Sequence, residues 1–156
     1  MTQAQAISGL GGIGKTQIAV EYAYRYRDEY RCVLWVSAAT RETLILEFVK
    51  LADLLQLSEK DEQDQNIVVE ALKLWLANHD RWLLILDNAD DLEMAYGFLP
   101  GGGNTHGHIL LTTRTQATGK IAHPMLVEEM DQQEGILLLL RRARLLACDA
   151  PLDRAQ

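Results

Sequence analysis

Along this chain, short continuous apolar runs alternate with stretches in which apolar residues recur every three or four positions. A first short run ends at Ser8. After a cluster of glycines, Ile18, Ala19, Tyr22, Ala23 and Tyr26 recur at the spacing of one helix face. CVLWVS, Cys32 to Ser37, is unbroken, β-branched and aromatic, and predicts a buried strand. Thr40 then stands where a hydroxyl can cap a helix whose stripe is Leu44, Phe48, Leu51 and Leu55. SEKDEQDQ, Ser58 to Gln65, is polar and acidic and reads as a solvated connection. Val68, Ala71, Leu72 and Trp75 make a second helical stripe that ends near Asn78, His79 and Asp80. WLLILD and HILLTT predict two more buried strands, and PMLVEE a short last one. Asp131 with Glu134 forms a capping-box-like start to a final helix, Gln132 to about Leu146. Arg141, Arg142 and Arg144 suit the negative end of its dipole.

Strands that are apolar throughout, separated by helices, predict an α/β fold: a parallel sheet covered by helices on both faces. No internal repeat or low-complexity tract interrupts it. The 156 residues suit one domain, with an ordinary globular balance of 48% hydrophobic and 24% charged residues. A net charge of −7 argues against a nucleic-acid partner, whose binding needs an excess of Lys and Arg, but not against an anion held locally. Cys32 and Cys148 have no CxxC spacing and read as idle thiols in a reducing compartment. The N-terminus lacks the basic flank and apolar stretch of a signal peptide. The longest apolar run near the C-terminus, Ile136 to Leu140, is far short of the ~20 residues a membrane span needs. A cytoplasmic chain without a membrane partner is expected.

The glycine cluster changes the picture from fold to chemistry. In SGLGGIGKTQIAVEYAY, Gly9, Gly14, Lys15 and Thr16 satisfy the phosphate-binding pattern G-x-x-x-x-G-K-[ST]. Glycines let successive backbone N–H groups turn inward around an anion, and the helix that follows adds its positive end. Lys15 can carry a point charge to the β- and γ-phosphates, and the Thr16 hydroxyl is a hard oxygen ligand for Mg2+. A second element is expected to supply an acid beside the metal. RWLLILDNADD does so with Asp87 at the end of its strand, while Asp90 and Asp91 read as an acidic helix start. A third, LLTTRT, ends a strand in Thr112, Thr113 and Arg114, where an arginine can sense a γ-phosphate. GGGN, Gly101 to Asn104, leads into a strand rather than a helix and reads as a turn. His79, His106, His108 and His123 have no ligand spacing, and the His106–His108 pair reads as loop decoration.

Together these motifs resemble the STAND class of signal-transduction nucleotide-binding domains, and within it the NB-ARC family. GLGGIGKTQIAVEYAYRY is similar to that family's first motif and VLWVSAAT to its next strand. WLLILDNADD is similar to its Walker B region and GHILLTTRT to its arginine-bearing sensor strand. The wording is nearest to forms joined to tetratricopeptide repeats. The resemblance implies a three-layer P-loop NTPase core of the ASCE type, with five parallel strands in the order 5-1-4-3-2. It implies ATP or ADP with Mg2+ as cofactors, and exchange of ADP for ATP as the switch. By residue match, Gly9, Gly11, Gly12, Ile13, Gly14, Lys15, Thr16 and Gln17 would hold the nucleotide, and Thr16 and Asp87 the metal. Asp87 would be the Walker B acid and Arg114 the γ-phosphate sensor.

Two departures shape the expectation. Many relatives carry a second acid directly after the Walker B aspartate, where this chain has Asn88. An amide cannot accept a proton from water as a carboxylate does, so weak ATPase activity at most is expected. Relatives also carry an upstream segment that packs on the adenine and, downstream, a helical subdomain and a winged helix. Residues 1–156 therefore read as a single nucleotide-binding core without them. Such a core is expected to bind nucleotide weakly, and protein partners to engage flanking domains. Two other classes stay open: a P-loop phosphotransferase or kinase, for which an arginine-rich lid is missing, and a folded core with negligible nucleotide binding.

Overall fold

The computed structural model describes residues 4–101, 106–115, 119 and 121–145. The order of elements is β1 (Ala4–Ser8), α1 (Lys15–Arg25), β2 (Cys32–Ser37), α2 (Arg41–Leu54) and α3 (Gln65–Asn78). Then follow β3 (Asp80–Asp87), α4 (Leu92–Tyr96), β4 (His106–Thr113), β5 (Ala122–Leu126) and α5 (Gln132–Arg142). The five strands pair in the order β2-β3-β4-β1-β5, every pair parallel. Read from the other edge this is 5-1-4-3-2. The fold is a three-layer α/β P-loop NTPase fold.

Both sheet faces are covered, as unalternating strands require. On one face Leu34, Val36, Leu84, Leu86 and Leu111 pack with the α2 and α3 stripes, where Leu44, Phe48, Leu51, Val69, Leu72 and Leu76 are buried. On the other, Ile7, Leu83, Ile85 and Leu110 pack against α1 through Ala19, with Tyr22 and Ala23 at the margin. Ile18 and Tyr26 were expected on that buried stripe but are exposed, so α1 meets the sheet along a narrower line than its apolar pattern suggests. The Thr40 hydroxyl accepts from the Thr43 N–H and starts α2, and Asp131 and Glu134 close a capping box at α5.

Strand ends depart from the apolar pattern. β3 begins at Asp80 because Asp80 registers with His106, across an irregularity that runs to Leu83 and includes Arg81 at φ 57°. His106 and His108 thus lie in β4 rather than in a loop, and His108 Nδ1 meets the Tyr30 hydroxyl at 2.7 Å. β5 starts two residues before PMLVEE, because its register with β1 runs from Ala4–Ala122 to Ser8–Leu126. α5 ends at Arg142, so Arg144 lies beyond it. Gly102 to Asn104, Leu146 and Cys148 fall outside the described residues. Burial pushes the Cys32 thiol up, away from the reactive thiolate.

Gly107 has a packing reason. A Cβ there would stand 2.1 Å from the Trp82 ring, which is fully buried across β4. The indole Nε1 donates to the carbonyls of Leu76 (2.8 Å) and His79 (3.0 Å), tying the end of α3 to β3.

Candidate functional site

Because the strands are parallel, their C-terminal ends share one edge of the sheet. Among the described residues the buried polar side chains are Ser8, Asp87, Thr112 and Thr113, and all four lie in the last two positions of a strand at that edge. Buried polar groups cost free energy unless they are paired. Their concentration at one edge of an otherwise apolar sheet therefore marks where function overrides packing.

The loop after β1 supplies the first wall. Gly9 fits only as glycine, since a Cβ there would stand 2.7 Å from the Val127 carbonyl oxygen. Gly14 takes φ 98°, in the left-handed region, and delivers the chain into α1. The first turn of α1 has no side-chain cap and no acidic residue, whereas Thr40, Asp64, Asp91 and Asp131 cap the other four helices. Its N–H groups and positive dipole end are thus left to whatever lies in front of them. The Lys15 Nζ donates to the carbonyls of Gly9 (2.9 Å) and Leu10 (2.7 Å), which holds its charge against the loop.

β3 and β4 supply the second wall. The Thr16 hydroxyl donates to Asp87 Oδ1 at 2.9 Å, bridging α1 to β3. The Thr112 hydroxyl donates to the same oxygen at 2.5 Å and accepts from the Asn88 N–H at 2.9 Å. Asn88 itself sits at φ 61°, a conformation asparagine tolerates better than most residues. Thr16 Oγ1 and Asp87 Oδ1 are separated by 2.9 Å. A hydroxyl and a carboxylate side by side are hard oxygen donors of the kind a divalent cation takes. Among the described residues no group of three or more His, Cys, Asp or Glu could hold a metal. One carboxylate and one hydroxyl suit Mg2+ bound largely through phosphates and water.

Arg114 and Asp90 complete the edge. Asp90 Oδ2 accepts from Arg114 Nε (2.6 Å) and Nη2 (2.5 Å), and Oδ1 from the Arg114 backbone N–H (2.7 Å). Burial works to raise the Asp90 carboxyl, but the bonds and charge of Arg114, with help from Thr113, outweigh it. They hold the carboxyl below the ordinary carboxylate value. Asp91, not Asp90, starts the helix: its carboxylate caps α4 by accepting from the Met94 N–H at 2.9 Å.

These elements enclose a cavity of about 720 Å3 lined by Gly11, Gly12, Gly14, Lys15, Thr16 and Gln17 on one side. Ala39, Asn88, Asp90, Thr113 and Arg114 line the other side. Asp87 is joined to it through Thr16, while Gly9 and Ile13 are not among the lining residues. Of the residues expected at the site, Gly11, Gly12, Gly14, Lys15, Thr16, Gln17 and Arg114 line this cavity, and Asp87 is hydrogen-bonded to Thr16 beside it. Asp90 was not singled out as their partner, because it lies 24 residues from Arg114 and no local pattern joins the two. A second cavity, of about 610 Å3, lies between α1 and β2. Its charged lining residues Arg27 and Arg31 pair with Asp28 and Asp80, and it has no glycine loop or free helix start. Among the described residues no helix is long and apolar enough to cross a membrane.

Comparison with known proteins bears on the family and the fold. An NLR-like protein (nucleotide-binding leucine-rich repeat) of Hyaloscypha variabilis is 34% identical over 88% of this chain. The transcription activator GutR of Bacillus subtilis is 34% identical over 56% of it. The chain spans only 16% and 12% of the lengths of these curated relatives. Among solved structures, Cdc6p of Pyrobaculum aerophilum superposes with a TM-score of 0.67 at 17% identity, covering 91% of this chain and 43% of its own. The ORC2 protein of Aeropyrum pernix, solved in ADPNP–ADP complexes, gives 0.61 at 18% identity, covering 93% and 46%. At such identities these two structures establish the fold. Residues 2–143 match the NB-ARC domain, and the chain belongs to the NB-ARC family.

Proposed function

We propose that this chain is the ATP/ADP-binding module of a STAND-type switch protein, holding nucleotide phosphates on the Gly9–Thr16 loop with Mg2+. The NB-ARC match and the P-loop NTPase fold support a nucleotide-binding module. The observation that carries the finer reading is the meeting of Lys15, Thr16 and Arg114 on one cavity, with Asp87 hydrogen-bonded to Thr16. In this reading the loop N–H groups and the start of α1 face the phosphates, and Lys15 adds a point charge. Thr16 and Asp87 would hold Mg2+, which when bound would neutralise phosphate charge. Arg114 distinguishes a triphosphate from a diphosphate.

Hydrolysis is slow in this reading, because no carboxylate of the β3–α4 loop is free to take a proton from water. Asn88 is an amide, Asp90 is committed to Arg114, and Asp91 caps α4. Calorimetric titration with Mg2+–ATP and Mg2+–ADP tests the assignment. Lys15→Ala is expected to weaken triphosphate binding by about 2–4 kcal/mol, the scale of a lost charge-assisted contact. Equal affinities would remove Lys15 from the site, and no binding to the parent chain would overturn the reading.

A further inference from the structure

Arg114 does not stand alone at the cavity edge. Asp90 spends both carboxylate oxygens on it, one on the backbone N–H and the other on Nε and Nη2 of the same side chain. The Asp90 carbonyl also accepts from the Thr115 hydroxyl at 3.0 Å, and its carboxylate lies 3.5 Å from the Thr113 hydroxyl. One residue of the β3–α4 loop thus grips three consecutive residues at the end of β4.

The grip is itself anchored. Ala89 is fully buried and donates to the Thr112 carbonyl at 2.8 Å, and Asp91 on the other side is fixed as the cap of α4. Asp90 therefore has little freedom to follow a moving arginine. Arginine carries five N–H donors, and this arrangement uses only the Nε edge, leaving Nη1 and one Nη2 hydrogen unspent. Both residues line the same cavity as Lys15 and Thr16. The Arg114 side chain is 70% exposed, so without a partner it would sample many rotamers. An isolated exposed ion pair contributes little to stability. A carboxylate that fixes both the backbone and the side chain of one cavity residue has a different consequence, which is orientation.

We propose that Asp90 is the positioning residue for Arg114 and, through it, sets the preference of the site for a triphosphate over a diphosphate. This rests on the nucleotide-binding reading above, in which Arg114 meets the γ-phosphate. Asp90 touches no nucleotide itself. It holds the guanidinium by one edge so that the remaining donors are already aimed when a third phosphate arrives.

The test compares Mg2+–ATP and Mg2+–ADP affinities for the full 156-residue chain and its Asp90→Asn, Asp90→Glu, Arg114→Ala and Asp90→Asn/Arg114→Ala variants. Melting temperatures without nucleotide are recorded alongside. Asp90→Asn keeps the shape but removes the charge that grips Arg114. It is expected to lower the ATP-to-ADP affinity ratio roughly tenfold, within the common range of coupling between sites. ADP affinity should stay near that of the parent. The same substitution on the Arg114→Ala background should change the ratio no further, and Asp90→Glu should restore part of it. An Asp90→Asn ratio equal to the parent's, while Arg114→Ala lowers it, overturns the positioning role but leaves the nucleotide site standing. A raised ratio does the same, since Asp90 would then be restraining Arg114. Loss of ADP and ATP affinity in equal proportion, or a further drop in the double variant, also overturns it. A parent chain that binds neither nucleotide, or an Arg114→Ala variant with an unchanged ratio, overturns the underlying reading and this inference together.

Discussion

The hydroxyl of Thr112 is the most economical place to perturb the site without touching its ligand-facing groups. It is 1% exposed and makes two bonds, donating to Asp87 Oδ1 at 2.5 Å and accepting from the Asn88 N–H at 2.9 Å. Thr112→Val keeps the shape of the side chain and removes both. A hydrogen bond to a charged group contributes about 1.5–3 kcal/mol and a neutral one about 1 kcal/mol. Asn88 is exposed, so water can serve its N–H in the variant, which removes most of the second contribution. The expected loss is about 2–3 kcal/mol, which for a chain of this size lowers the melting temperature by about 4–12 °C. Thermal unfolding followed by circular dichroism at neutral pH, without nucleotide, reads it directly. Thr112→Ser retains the hydroxyl and loses only a methyl group, so it should fall well short of the valine variant. Serine and valine variants with equal losses, or a valine variant within about 2 °C of the parent, would refute the assignment of the stabilisation to the hydroxyl.

Two further predictions use different parts of the molecule. Gly107→Ala places a methyl group 2.1 Å from the buried Trp82 ring and should cost about 1–3 kcal/mol by overpacking, read by urea denaturation. An unchanged midpoint would mean that Trp82 can move aside. The Asp90 carboxyl, faced by Arg114 and Thr113, is held below its ordinary value. A depressed carboxyl contributes stability that is fully present above the unfolded-state value and is lost as pH falls through the folded-state one. The stability gap between the parent and Asp90→Asn should therefore be constant from neutral pH down to about pH 5 and shrink below about pH 4. A gap that persists unchanged to about pH 2 would assign it to something other than the ionised pair.

The parts of the fold that follow from local chemistry were legible, and those set by a distant partner were not. β2 runs from Cys32 to Ser37 as its apolar block predicts, and Thr40, Asp131 and Glu134 cap helices where their side chains and spacing allow. Each is decided within a few residues. By contrast, β3 and β4 begin in polar residues because Asp80 finds His106 across the sheet, a pairing that hydrophobicity does not encode. β5 is displaced for the same reason, its place being set by register with β1. On α1, spacing identified a face but not how much of it the sheet would cover, and Ile18 stays exposed. The glycine loop and Asp87 were visible as motifs. The hydrogen bonds that join them to Thr112, and the hold of Asp90 on Arg114, arise only when strand order puts β4 beside β3.

Strand order also explains why these polar groups tolerate burial. β4 lies between β1 and β3, so the residues ending it are within reach of the loop after β1 on one side and of the β3–α4 loop on the other. Thr112 links Asp87 to Asn88 in a chain of contacts that starts at Thr16. Thr113 is buried beside it and turns its hydroxyl to the Thr115 N–H at 3.0 Å and towards Asp90. Asp87 Oδ1 and the hydroxyls of Thr112 and Thr113 thus have protein partners, and the apolar rows of β3 and β4 behind them keep solvent from competing. The site is accordingly buried and hydrogen-bonded where Asp87 and Thr112 sit, and more open where Lys15 and Arg114 line the cavity. That division suits a pocket that must hold its anchoring oxygens still while its cations meet an anionic ligand.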